Sequence, residues 1–317
     1  MLALALDMGG THIGCGVVED DRLLAHAAID CKGTASLADM LPILADKLRT
    51  LLRDANPTTR SCAGVTIGFP GIVNARNGKI LSTLKKYEDA PEIDLKAWAR
   101  NEFDLGLRIE NDARMAALGE QHAGAGREIK NLVMVTLGTG IGTGVILDGR
   151  LLRGVHAHAG CFGGHLAVKF DGRLCHCGNI GCAEAEASGW SLPLIARDWS
   201  GFSKSSLIEV EELGFRELLL HAQRGDNVAR QIWERCLWVW AANAVSLIHA
   251  YDPEVLLLGG GVMQNADPVL SFVQDYVNKH TWSSWGKTRV RVAALGNAAA
   301  LLGAIPLLTE EMHDTTI

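Results

Sequence analysis

At 317 residues, with 48% apolar and 21% charged residues and a formal net charge of −6, the chain is long enough to build two cores. The acidic balance argues against a nucleic-acid or membrane surface as the main partner. No apolar run reaches the roughly 18–20 residues needed to cross a bilayer, and the opening MLALALDMGGTH has no basic stretch ahead of its apolar run, so neither a membrane span nor a secretory signal is expected.

LALALD (residues 2–7) reads as a buried strand that ends in a Gly-Gly turn. A second strand over residues 13–18, the turn EDDR and a third strand from Leu23 follow. Residues 36–52 carry leucines at helical spacing, with Pro42 weakening the first turns. CAGVTIGFPG (62–71) is a strand running into a Gly-Pro loop, and LGLRIEND (105–112) is a strand entering a helix. Residues 227–249 form a long helix with Trp233, Leu237, Trp240 and Leu247 near one face, a pattern of core or subunit-interface packing. EVLLLGGGV (254–262) is a buried strand entering a triple-glycine turn, and NAAALLGAIPLL is a closing helix with an alanine-rich face.

The opening pattern returns. NLVMVTLGTGIGTGVILDGRLL aligns on the first segment without gaps at a constant offset of 128 (Gly10 to Gly138), with ten identities in the fifteen positions from Gly10 to Leu24. Two related α/β domains follow, each opening with a strand, glycine turn, strand, turn and strand; the period is too long for a solenoid.

GTGIGTG is not a dinucleotide-binding fingerprint, because Thr143 holds its third glycine position and the next residues read as a hairpin rather than a helix. No Gly-x4-Gly-Lys-Ser/Thr loop is present. Glycine- and threonine-rich hairpin turns instead expose backbone N–H groups suited to phosphate oxygens. Asp7, at the strand end beside the first turn, is placed to hold Mg²⁺ or its water.

Of eight cysteines, Cys15, Cys31, Cys62, Cys161 and Cys236 are scattered and read as small buried hydrophobes. Cys175, Cys177 and Cys182 are clustered. Without a secretory signal they point to a metal or to catalysis rather than to disulfides. Three thiolates and an imidazole suit Zn²⁺, with His156, His158, His165 and His176 as candidate fourth ligands. His176, between two cysteines, is expected to turn away from the metal. A redox pair would need Cys-x-x-Cys, which is absent, and four protein ligands would close a catalytic zinc.

Together, DMGGT (7–11), LGTGIGTG (137–144), the CHCGNIGC cluster and LGGGV (258–262) resemble the ROK family of sugar kinases and sugar-responsive repressors, in consistent order from residue 2 to about residue 304. The resemblance implies an α/β fold of duplicated RNase-H-like (actin/hexokinase-like) domains, with ATP and sugar in the cleft between them. It gives residues 1–112 plus about 300–317 to the first domain, and 113–299, with the zinc segment 165–182, to the second. It implies that Asp7, Gly9, Gly10, Thr11, Gly138, Thr139 and Gly140 face phosphates and that Gly259, Gly260 and Gly261 turn near the adenosine. It makes Asp112 the general base and Asn111, Gly71, His165 and Glu184 sugar contacts, with Glu186 as the competing carboxylate. Read from its neighbours alone, Asp112 is a helix N-cap. The zinc ligands become His165, Cys175, Cys177 and Cys182, a structural clip. A cytoplasmic homodimer using ATP and Mg²⁺ is expected, with a helix-turn-helix repressor disfavoured because one residue precedes the first strand.

One departure bears on substrate. The family commonly shows Ala-Gly-Glu-x-Gly-His where this chain has AGCFGGH (159–165), so Phe162 or Cys161 stands where a sugar-binding glutamate is expected. Glucose, allose, fructose or an N-acyl amino sugar are all compatible. The leading expectation is phosphorylation of a hexose at its 6-hydroxyl. A non-catalytic sugar sensor and a zinc-dependent hydrolase are the alternatives.

Overall fold

The alternation of LALALDM sets the first layer. In β1 (Leu2–Met8) the leucines point to one side of a sheet and Ala3 and Ala5 to the other, and all are buried. β1 pairs antiparallel with β2 (His12–Glu19), which pairs antiparallel with β3 (Arg22–Asp30). The leucine side packs on α1 (Leu37–Ala55) through Leu37, Leu41, Leu44 and Leu48. Pro42 is tolerated inside α1 because its start is held from outside: the Asp89 carboxylate accepts from the N–H groups of Leu37 (2.8 Å) and Ala38 (2.9 Å), and Ser36 Oγ accepts from Asp39 N–H at 3.2 Å.

The chain then forms β4 (Cys62–Phe69), the hairpin β5 (Gly71–Asn74) and β6 (Lys79–Thr83), α2 (Leu95–Phe103), β7 (Leu107–Asn111) and α3 (Asp112–Ala123). β4 lies parallel to β1 and β7 parallel to β4, giving the strand order β3-β2-β1-β4-β7.

The duplicated segment supplies β8 (Leu132–Leu137), β9 (Ile141–Leu147) and β10 (Arg150–Leu151). Short helices α4 (Ala183–Ala187) and α5 (Leu192–Arg197) lead to α6 (Phe215–Gln223) and the 25-residue α7 (Asn227–Tyr251). β11 (Val255–Gly259), α8 (Ala266–His280) and β12 (Arg289–Val292) complete a second sheet of order β10-β9-β8-β11-β12. Element for element this repeats the first sheet. The repetition reaches the backbone: Asp20 (φ 52°) and Asp148 (φ 50°), 128 positions apart, hold the same left-handed turn.

The closing segment, expected as one helix, is two: α9 (Ala299–Leu302) and α10 (Ala304–Thr309), broken at Gly303. A Cβ on Gly303 would lie 2.3 Å from Met115 O and one on Gly119 would lie 1.9 Å from Ala299 O, so α3 and this segment meet backbone to backbone and the helix breaks to allow it. Leu301, Leu302 and Ala304 cover the alanine side of β1. On α7, Trp233 and Trp240 are core, edge to face at 5.7 Å; Trp238 is 54% exposed and packs on Phe272 and Tyr276 of α8.

This computed structural model describes residues 1–55, 61–83 and 86–311; the expected last residues of the first domain, 312–317, lie outside them. The chain divides into two compact units, one of Met1–Lys130, Gly144–Cys161 and the segment from Ala293 onward, the other of Asn131–Thr143 and Phe162–Val292. Among the described residues no helix is long and apolar enough to cross a membrane.

Candidate active site and metal centre

In the first unit the parallel strands β1, β4 and β7 end together. Asp7 is level with Gly68, Gly68 with Glu110, and Phe69 with Asn111. Carboxyl ends of parallel strands are where open α/β sheets bind ligands. Asn111, not Asp112, caps α3: its Oδ1 accepts from Arg114 N–H at 3.2 Å, and its Nδ2 donates to Gly71 O at 3.1 Å and to Asp112 Oδ1 at 2.9 Å. Asp112 is therefore the first helical residue, its Oδ1 also accepting from Ala113 N–H at 2.8 Å. A carboxylate here is favoured by the helix dipole. Gly71 is fixed by space, since a Cβ would sit 2.4 Å from Ser82 O.

Asp7 and Asp112 feel each other. Burial first, and then the charge of Asp112, lift the Asp7 carboxyl from 3.8 to about 7. Such a pair suits a divalent cation, whose charge would favour the ionised form of both carboxyl groups. The turn Gly9–Thr11 beside Asp7 is gripped by Lys86, whose ammonium donates to the carbonyls of Gly9 (3.4 Å) and Gly10 and lies 3.0 Å from Cys31 Sγ. Nothing in the sequence around Lys86 signals this contact with a turn 76 residues away.

Below the site lies a buried ion network that sequence reading missed. Glu110 and Arg114, both fully buried, pair at 3.2 Å; Arg153 reaches Glu110 at 2.5 Å and clasps Glu310 with two further bonds. Arg114 also donates to the carbonyls of Ala157 (3.1 Å) and Ala159. These bonds anchor the strand bearing Asn111 and the loop leading to AGCFGGH. Cys161, in that loop, is buried; its thiol is pushed up by burial and donates to His158 O at 3.3 Å.

In the second unit the predicted clip comes together. The ligand atoms of His165, Cys175, Cys177 and Cys182 lie within 4.8 Å of one another. Cys175 Sγ is 3.5 Å from His165 Nδ1 and Cys177 Sγ is 3.6 Å from Cys182 Sγ. A tetrahedral zinc with bonds of about 2.3 Å to sulfur and 2.0 Å to nitrogen sets ligand–ligand distances of roughly 3.5–3.8 Å, so the donor set and spacing fit. His165 offers Nδ1 to the clip, leaving Nε2 for another partner. Phe162, at the start of the turn that ends in His165, presents its ring edge-on to the imidazole at 5.5 Å and is 36% exposed. His176 turns away, stacked on Trp190.

Glu184, two residues beyond Cys182, is buried. Its Oε2 accepts from Ile141 N–H at 2.9 Å and its Oε1 from Trp190 Nε1–H at 3.1 Å, so it braces the second glycine turn, where Gly140 leaves room: a Cβ there would lie 2.7 Å from Oε2. Glu186 is engaged elsewhere, held by Arg235 and by Arg173 N–H at 2.6 Å. Beside the turn is a cavity of about 420 Å³ lined by Gly138, Thr139, Trp190, Trp233 and Gly261 among others. Gly260 (φ 88°) closes against β8, where a Cβ would meet Leu137 O at 2.4 Å. The volume is in the range of a small-molecule pocket.

The comparisons agree with this architecture. A model of the ROK family matches residues 3–311. A glucokinase of Thermotoga maritima is 30% identical over 318 residues, covering 98% of this chain and 98% of the relative. The crystal structure of a ROK family glucokinase from Streptomyces griseus in complex with glucose and AMPPNP superposes with a TM-score of 0.79 at 28% identity, over 97% of this chain and 99% of that one. A xylose repressor of Caldicellulosiruptor bescii is 26% identical over 86% of this chain and 69% of the repressor. With its duplicated actin/hexokinase-like sheets and a family match over nearly its whole length, the chain belongs to the ROK family.

Proposed function

We propose that this protein is an ATP- and Mg²⁺-dependent kinase of a hexose or hexose derivative, acting on the 6-hydroxyl. The observation that carries the reading is Asp112, at the start of α3 with the capping task taken by Asn111 and within electrostatic reach of Asp7. Asp112 accepts the proton of the attacking hydroxyl. That oxygen forms its bond to the γ-phosphorus as the bond to the β-phosphate bridging oxygen breaks, and ADP leaves. Asp7 would hold Mg²⁺ or its water, and that ion supplies charge neutralisation at the phosphates. The turns at Gly9–Thr11 and Gly138–Gly140 offer backbone N–H groups to phosphates, and the cavity closed by Gly259–Gly261 takes the adenosine. Asn111, Gly71, His165 and Glu184 contact the sugar; Glu184 can do so while bracing its turn, since a carboxylate has about four acceptor sites. His165, Cys175, Cys177 and Cys182 would hold a structural Zn²⁺.

The glucokinases among the relatives support the kinase class. Phe162, counting back from His165, occupies the position of the expected glutamate, so selectivity at C1–C3 is set differently from a carboxylate-bearing site. Homodimerisation through the face around Trp238 and a cytoplasmic location belong to the same reading, the latter in keeping with eight free cysteines.

The xylose repressors among the relatives favour a second reading, a sugar-responsive protein without catalysis. An ADP-coupled assay over a panel of sugars separates the two. Sugar-dependent ADP release, lost in Asp112→Asn with sugar binding retained, is the expected result. No sugar-dependent ADP with any sugar that binds would favour the sensor.

A further inference from the structure

His176 stands between two clip cysteines and contributes nothing to the clip itself; its ring lies flat on Trp190, centroids 3.8 Å apart and planes 19° from parallel. Trp190 is in turn bound to the second glycine turn on several sides. Its backbone N–H donates to Thr139 O at 3.0 Å, and the N–H of its neighbour Gly189 donates to Gly138 O at 2.9 Å. Its indole N–H donates to Glu184, whose other oxygen accepts from Ile141 N–H. Trp190 and Thr139 also line the 420 Å³ cavity. A continuous path of contacts therefore runs from the clip, through the imidazole of His176 and the indole of Trp190, to the backbone of the turn Gly138–Ile141.

We infer that His176 is a positioning residue that links the metal clip to the nucleotide turn, so that an ordered clip sets affinity for ATP as well as for sugar. A metal held by Cys175 and Cys177 fixes the backbone that carries His176. The stack then holds the indole plane, and the indole holds Glu184 and the turn, whose Gly138 and Thr139 line the cavity. With the stack removed, Trp190 keeps its covalent place but not its orientation, and the turn loses part of its support. The inference rests on reading this turn and cavity as the ATP site and goes beyond it by making the clip a determinant of nucleotide affinity.

His176 is exposed, is not among the four clustered ligands and does not line the cavity, which makes it a clean probe. The experiment is calorimetric titration of the full chain with Mg²⁺ and a non-hydrolysable ATP analogue, without sugar, with zinc content measured on the same samples. His176→Ala should keep the wild-type zinc content and bind the analogue roughly three- to tenfold more weakly, the size of a lost aromatic stack. His176→Phe, which restores a stacking ring without a ligating nitrogen, should bind within about twofold of wild type on the same scale. Equal binding by His176→Ala and wild type overturns the inference. So does a His176→Phe variant as weak as His176→Ala, or loss of zinc from His176→Ala, since the ring would then act otherwise than by stacking. A wild-type protein that binds no analogue removes the ATP reading of the cavity, and the inference with it, before any variant is compared.

Discussion

Asp7 is a carboxyl group placed where ionisation is unfavourable, and replacing it by asparagine should make the protein more stable while disabling it. Burial at the end of β1 and the charge of Asp112 raise its pKa from 3.8 to about 7. The folded protein thus holds this proton more tightly than the unfolded chain does. The stabilisation it confers is fully present below pH 3.8 and is lost as pH rises through about 7. At about 1.36 kcal/mol per pH unit, the whole interval amounts to a ceiling of about 4 kcal/mol, of which about 3 kcal/mol falls between pH 5 and pH 8. Asp7 is only half-buried and its surroundings can relax, so about half of that, roughly 1–2 kcal/mol, is the expected effect. The assay is urea unfolding of wild type and Asp7→Asn near pH 5 and near pH 8, without nucleotide or magnesium. The stability difference should move in favour of the variant by that amount between the two conditions. A difference that is the same at both pH values would refute the reasoning, because a side chain with an ordinary pKa has finished titrating near pH 5.

The remaining predictions concern the frame around the site. Cys182→Ser removes a buried clip ligand and should abolish stoichiometric zinc binding, read by metal analysis, with a lower melting temperature; full zinc retention would disprove the ligand assignment. Glu110→Gln leaves Arg114 and Arg153 short of a buried counter-charge and should cost about 3–5 kcal/mol in denaturant unfolding. A loss below 1 kcal/mol would mean the network matters little to stability. Gly140→Ala forces a methyl against the braced Glu184 and should cost about 1–3 kcal/mol and weaken binding of an ATP analogue, whereas Gly10→Ala, with open space around it, should leave stability nearly unchanged.

Much of the fold was legible because it is written in local patterns. The short apolar run of β1 ending in Gly-Gly, the leucine spacing of α1 and the repeat at offset 128 each identify an element or a domain without reference to distant residues. The Cys/His cluster was legible in part for the same reason: its three cysteines lie within eight positions, while the choice of His165 among four histidines came from the family resemblance. What was hidden depends on pairs far apart in the chain. Asp89 completes the start of α1 from 52 residues away, which is why Pro42 does less harm than its position suggests. The break at Gly303 reflects the close approach of α3, invisible in an alanine-rich segment that reads as continuous helix. Asp112 reads as a cap until the geometry gives that task to Asn111. Glu184 and Trp190 carry no motif that announces a brace beneath a hairpin 43 residues upstream.

The two five-stranded sheets also record how a doubled frame can divide labour. At the same place in each frame, three residues before the shared glycine of the turn, the first copy has Asp7 and the second has Val135, whose neighbour across the sheet is Leu258. One copy carries an ionisable group at its strand end and the other seals that position with a buried valine. Once the backbone closes both hairpins alike, each copy is at liberty to specialise, one keeping a carboxyl group at its strand end and the other an aliphatic side chain. A single substitution in such a frame alters the chemistry of one half and leaves its twin as an internal standard.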